Sequence, residues 1–295
     1  MTKRKPMRLL FVHGIAQGGK DADTLRRVWI ETLQEGFDAA RLPWPRDLTI
    51  DLPHYGNVLD QFVASEDLPP AHDVQGKGNA PAAGSAYGEF VRDALDDLQE
   101  AKVPEAEVRA QLDPAAPQGK GPQNWPWVRA VAQAIDERLT PLSEFTIDRA
   151  LREVFVYARR PYATREINAL IAAALTPEPT VVVSHSLGTV IAYHVLRVAQ
   201  GRDVRGFVTL GSPLGLRALA DTLGVLEHPV PKVGWFNAFD PRDIVALRPL
   251  TAPYFEVDPA IDNHGKVDNN TDNRHGIIGY LNDAQVAARI AKALA

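Results

Sequence analysis

The chain of 295 residues contains no cysteine. That absence removes disulfide frameworks, thiolate zinc sites, iron–sulfur clusters and cysteine nucleophiles together. Long apolar runs are also missing: nowhere do the ~18 consecutive apolar residues of a membrane-crossing helix occur. The basic start, Met1-Thr2-Lys3-Arg4-Lys5, resembles the charged end of a signal peptide. The apolar stretch behind it, Leu9-Leu10-Phe11-Val12, is too short for the hydrophobic part of one. Neither charge sign dominates, with 32 Lys and Arg against 37 Asp and Glu and a net charge of −5. Such a balance offers no general field for nucleic acid or anionic lipid, so no nucleic-acid partner is expected. Internal repeats and charged tails are absent as well. A soluble, cytoplasmic protein is the expectation.

What is present is ordinary globular composition, 45% hydrophobic and 23% charged. The length suits about two domains of ~150 residues, or one α/β domain (residues 1–295) carrying an insertion. Three short apolar runs, residues 9–12, 181–183 and 207–210, each end in a turn rich in Gly, Ser or His. Continuous apolarity is what a strand covered on both faces requires. Helical patterns lie between them, at residues 24–39, 165–175 and 189–199, with a closing helix at 283–295. Asp21 and Asp23 are candidate N-caps of the first. Weaker strands are expected at residues 49–52, 235–239 and 254–257. Alternation of strands and helices implies an α/β fold with a mostly parallel central sheet. Residues 65–127 read differently, with proline and glycine breakers around two helical segments, 87–102 and 105–112. This stretch reads as an insertion and a candidate lid. Trp125 and Trp127, in a proline-flanked loop, read as core anchors.

Ser184-His185-Ser186-Leu187-Gly188 follows a buried strand and opens a buried helix. That is the context of a nucleophile elbow, a sharp turn that presents one hydroxyl at the carboxyl end of a sheet. Small residues two before and two after Ser186 let the backbone pack through the turn. The helix behind it places the Leu187 N–H where a developing oxyanion would lie. A second donor belongs to the loop after an earlier strand, His13-Gly14-Ile15, with Ile15 preferred and Ala16 second. A serine nucleophile also needs a base and an orienting acid, in the order Ser, Asp or Glu, His. Only His264 and His275 follow the best acids. His275 is preferred, because Gly276-Ile277-Ile278-Gly279-Tyr280-Leu281 anchors it, whereas His264 sits in a polar run. For the acid, Asp243 leads into apolar Ile244-Val245, and Asp240 before Pro241 suits a turn cap.

A rival lies in the same first loop. Gly14-Ile15-Ala16-Gln17-Gly18-Gly19-Lys20 matches a phosphate loop up to its last position, where Asp21 replaces the Mg²⁺-binding hydroxyl and repels phosphate. The polar run Asp268-Asn269-Asn270-Thr271-Asp272-Asn273 has oxygens at alternating positions. It lacks the Gly and Glu of a calcium loop, so a solvated loop is expected and no metal site.

With these residues assembled, the chain resembles the α/β-hydrolase superfamily in its lipase- and esterase-like branch. The resemblance rests on Leu10-Phe11-Val12-His13-Gly14, the Ser186 turn, Thr209-Leu210-Gly211-Ser212-Pro213-Leu214-Gly215, Asn237 through Val245, and His275 with Tyr280. It leaves residues 65–127 unmatched, and Ser184 replaces the usual first glycine of the elbow. The resemblance implies the α/β-hydrolase fold, with helices on both faces of the sheet, an acyl-serine intermediate and no obligatory cofactor. It implies a serine hydrolase acting on a small-molecule or lipid carboxylic ester, with Ser186, Asp243 and His275 catalytic and Ile15 and Leu187 forming the oxyanion hole. A phosphate-loop nucleotide hydrolase and a non-catalytic binding module of the same fold are the alternatives. Oligomeric state and acyl chain length are not legible.

Overall fold

A computed structural model describes residues 6–68, 86–102, 105–110, 112, 147–199, 201–246 and 248–295. The three apolar runs become neighbouring strands: β1 (Met7–Val12), β3 (Thr180–His185) and β4 (Val204–Leu210). Outside them lie β2 (Leu48–Asp51) beside β1, and β5 (Trp235–Ala238) and β6 (Asp262–His264) beyond β4. The order is β2-β1-β3-β4-β5-β6, and every pairing is parallel. All six residues of β3 are buried, as a central strand covered on both faces requires.

Alternate side chains of the sheet feed two cores. Leu9, Phe11, Val181 and Val183 pack with Trp29 and Leu33 of α1 (Ala22–Ala39) and with Val286 and Ile290 of α10 (Ala284–Leu294). Leu10, Val12 and Val182 face the other way, onto α6 (Pro161–Ala174) and α7 (Leu187–Val198). Both helices of the first layer are capped by aspartate; of the two candidates for α1, Asp21 is the cap and Asp23 lies in the first turn. Asp21 accepts from Thr24 N, and Asp283 accepts from Gln285 N and Val286 N. α7 is apolar nearly all round and is correspondingly buried, as a helix with apolar residues on every side must be.

α2 (Gly56–Ser65), α3 (Ala86–Lys102) and α5 (Ile147–Arg159) complete the second layer; α4 (Glu105–Ala110) follows α3, and α8 (Ala220–Leu223) and α9 (Ile278–Leu281) lie in later loops. α3 and α4 match the helical segments expected within residues 65–127. The glycine and proline breakers of that stretch, and Trp125 and Trp127, lie outside the described residues. α3 is fastened by Asp97, which is fully buried. Its carboxylate accepts from Arg217 N at 2.6 Å, Arg217 Nε at 2.8 Å and an Arg248 guanidinium nitrogen at 3.2 Å. No described helix is long and apolar enough to cross a membrane.

One expected strand does not form. Residues 254–257 close a turn instead, with Tyr254 N and Phe255 N both donating to Thr251 O, at 3.0 and 2.9 Å. Phe255 thereby drops into the core against Tyr193 and Trp235. The sixth strand is the polar Asp262–His264, whose pattern carries no apolar signal because it is an edge. Asn263 holds it, its amide exchanging hydrogen bonds with Leu250 N and Leu250 O and accepting from Asn237 Nδ2.

Candidate active site

The chain runs from β1 outward to β2 and then crosses back to β3 on the opposite side of β1. The connections therefore diverge between β1 and β3, and in an open parallel sheet a crevice forms at the carboxyl ends of two such strands. Gly14 and Ile15 leave β1 there, and Ser186 leaves β3.

Ser186 occupies a left-handed conformation, φ 54° and ψ −130°, between β3 and α7. A non-glycine residue held there stores about 1–3 kcal/mol, which the surroundings must offset. Ser186 N donates to Leu210 O at 3.0 Å. Two glycines make the turn possible. A Cβ on Gly188 would lie 2.3 Å from the carbonyl oxygens of Val12 and His13, and one on Gly14 would lie 2.6 Å from Ser186 Cβ. Ser184, the residue that departs from the expected glycine, is fully buried, and its hydroxyl donates to Val208 O at 3.1 Å. The extra side chain is thus satisfied inside the sheet.

Two backbone donors border the turn. Leu187 is the first residue of α7, so its N–H has no intrahelical acceptor. In the β1 loop, Ala16 N is taken by the Glu153 carboxylate, at 3.0 and 3.3 Å, and Ala16 itself has φ 58°. Ile15 N, the preferred donor, enters no hydrogen bond among the described residues. His13 braces the same loop. Its Nδ1–H donates to Gly14 O at 2.8 Å while its Nε2 accepts from Tyr55 N at 3.1 Å. One nitrogen donating and the other accepting defines a neutral ring, and full burial pushes its pKa down to about 3. Burial likewise raises Glu153 above the ordinary carboxylate range, against the Arg149 guanidinium 2.7 Å away.

Asp243 and His275 meet across 32 residues of sequence, with His275 Nδ1 2.7 Å from Asp243 Oδ2. Tyr280 OH donates to the same oxygen at 2.6 Å, and Val245 N donates to Oδ1 at 2.8 Å. Burial alone would raise the Asp243 pKa. The His275 ring and these hydrogen bonds outweigh it and hold the carboxyl below its usual value. Gly211, at φ 57°, makes room for the pair, since a Cβ there would lie 3.1 Å from both Asp243 Oδ2 and the His275 ring. The Gly-Ser-Pro segment after β4 thus has a steric reason.

Asp240 serves the turn. It accepts from Arg242 N at 2.7 Å and Asn269 N at 2.8 Å. His264 lies in β6, not in a loop, and its carbonyl accepts from Phe239 N. The polar run 268–273 is solvated in part, with Asp268, Asn270 and Asp272 exposed. Asn269 is fully buried, donates to Gly276 O at 2.9 Å and accepts from Thr271 Oγ1 at 2.6 Å. Asn273 then accepts from His275 N at 3.1 Å. Asn269, Thr271 and Asn273 thus shape the segment that carries His275.

Ser186 and His275 line one cavity of about 560 Å³ with Gly14 and Ile15. No hydrogen bond joins the two side chains; in unliganded sites such contacts are commonly long and tighten on binding. His185 couples the two segments, with Nε2 donating to His275 O at 2.7 Å. Its pKa falls to about 3, chiefly through burial. The phosphate-loop segment borders the same cavity. There the Asp21 carboxylate caps α1 and the Asp60 carboxylate packs against Gly18, so two negative groups lie along the segment. Among the described residues, no group of three or more His, Asp or Glu side chains is arranged to hold a metal ion.

Sequence reasoning missed Glu153, His185 and Asn269 as supports, and placed Tyr280 in the anchor of His275 without its bond to Asp243. Glu153 bonds to a loop 137 residues away, and nothing local signals that. Tyr280 carried a signal, an aromatic in an apolar anchor just after the histidine. The chain matches no known family model and no curated protein.

Proposed function

We propose that the protein is a serine hydrolase of the α/β-hydrolase type, cleaving a carboxylic ester through an acyl-serine intermediate. One observation carries this reading. A serine in a strained strand-to-helix turn shares a cavity with an imidazole whose Nδ1 is tied to a buried carboxylate. Such a carboxylate fixes the ring's tautomer and leaves Nε2 as the base. Ser186 Oγ attacks the carbonyl carbon as His275 Nε2 takes its proton. Collapse breaks the bond to the alcohol oxygen, which receives that proton, and water then repeats the sequence to free the acid. Asp243 stabilises the imidazolium, and the Ile15 and Leu187 amides hold the oxyanion. The all-parallel sheet with helices on both faces is compatible with this type of fold. Against the nucleotide-hydrolase alternative stand the two carboxylates at the phosphate-loop segment.

The test is labelling by a fluorophosphonate probe with mass mapping of the adduct. A single adduct at Ser186, absent in Ser186→Ala, is expected, together with a loss of turnover of at least ~10⁴-fold in that variant. A folded wild type that takes no label and cleaves no ester would instead be a binding module of this fold.

A further inference from the structure

Ser186 borders a second cavity that His275 does not reach. It measures about 60 Å³ and lies under α3 and α5, lined by Phe90, Ala94, Leu151, Val154, Leu219 and Ile244 among others. Every described lining residue other than Ser186 is apolar. Ile15 and Ser186 border both cavities; His275 borders only the larger. That larger space mixes apolar Trp29 and Ile277 with polar Gln17, Lys20, Thr24 and Asn273.

Acyl transfer assigns the two spaces. His275 must hand the serine proton to the departing alcohol oxygen, so the alcohol leaves on the side where His275 lies. The acyl chain is then directed to the side bordered by the serine and Ile15 without the imidazole. At about 60 Å³ against about 560 Å³ for its neighbour, this space suits a short acyl chain and not a long one. We infer that the substrate is a short-chain acyl ester of a larger alcohol: a short apolar acyl group in the small cavity, and an alcohol with both apolar and hydrogen-bonding surface in the large one. This rests on the ester-hydrolase reading and goes beyond it, because the same chemistry would equally serve long-chain lipids.

The experiment is the rate profile of the full chain on p-nitrophenyl esters from acetyl to decanoyl, run on protein that labels at Ser186. kcat/KM should rise roughly fourfold per methylene that the cavity can bury, peak between butanoyl and hexanoyl, and fall at least tenfold by decanoyl. Ala94→Leu, which fills the cavity, should move the peak to shorter chains. Val154→Ala, a change at a half-buried wall position, should move it to longer ones and keeps the test available if the first variant fails to fold. Benzyl butanoate should be cleaved at least tenfold faster than ethyl butanoate, whose leaving alcohol is of similar acidity but fills less space. A labelled enzyme that prefers decanoyl, or variants that scale every ester alike, would overturn the acyl assignment. Equal rates on the benzyl and ethyl esters would overturn the alcohol assignment. Absence of both label and hydrolysis would remove the ester-hydrolase reading itself, and the inference with it.

Discussion

The two halves of the candidate site are held in different ways. Around Ser186 the backbone does the holding: β3 is buried end to end, α7 packs behind it, and Gly14 and Gly188 let chains approach closer than any side chain would permit. Around His275 side chains do it: Tyr280 and Asn269 are each buried and hydrogen-bonded, and Asn273 and Thr271 tie the intervening loop. A backbone-built half is specified by local pattern and is intolerant of added volume. A side-chain-built half is specified residue by residue and should lose function before it loses the fold. Glu153, which props the β1 loop, is an exception on the first side.

The largest expected effect falls on the second half. His275→Ala should lower turnover about 10⁴-fold in protein that still unfolds cooperatively in urea, while His264→Ala, in the edge strand, should stay within about threefold. Equal losses from both would mean that His275 is not the base. A paired comparison comes next. Gly188→Ala drives a Cβ into two carbonyl oxygens and should cost about 3 kcal/mol or more, at the upper end for overpacking. Asn269→Ala should leave the molecule folded yet lower kcat about 10²-fold, the effect of displacing a reacting group by ~1 Å. If Gly188→Ala were stable and Asn269→Ala fully active, the contrast between the halves would be wrong.

The smallest effect on turnover concerns His185, which joins them. Its folded pKa, about 3, lies below the ordinary histidine value of 6.5. Between those values the unfolded chain binds a proton that the folded ring refuses. The neutral ring's contribution is therefore fully present above pH ~6.5 and is lost as pH falls toward 3. That amounts to at most about 1.4 kcal/mol per pH unit. His13 adds a second slope of the same sign. His185→Gln, which keeps a donor for His275 O, should change turnover at pH 8 by less than about threefold. It should also flatten the acid limb of urea stability by up to one proton. An unchanged limb would mean that the ring is not held neutral.

Much of the fold was legible because its signals are short-range. The runs at 9–12, 181–183 and 207–210 read as buried strands, and each is one. The Asp21 cap was readable as local side-chain chemistry. Legibility failed where a partner lay far off. Residues 254–257 look like a strand until Thr251 closes the turn, and Asp262–His264 has no apolar pattern because an edge needs none. The run at 268–273 read as a solvated loop, and Asp268, Asn270 and Asp272 are exposed. Not legible was that Asn269 donates to Gly276 O and accepts from Thr271 Oγ1, and that Asn273 accepts from His275 N.

Sequence alone determined the parallel α/β alternation, the serine turn between strand and helix, and the order in which candidate serine, acid and histidine occur. These follow from periodicity, residue size and chain direction, which neighbours in sequence impose on one another. Only the tertiary structure decided that Asp243 and not Asp240 meets an imidazole, that this imidazole is His275, and that Glu153 braces the β1 loop. It alone divided the space at Ser186 into a small apolar cavity and a large mixed one. Those outcomes depend on which groups are buried together. Burial is a property of the whole fold, set by contacts between residues tens to more than a hundred positions apart.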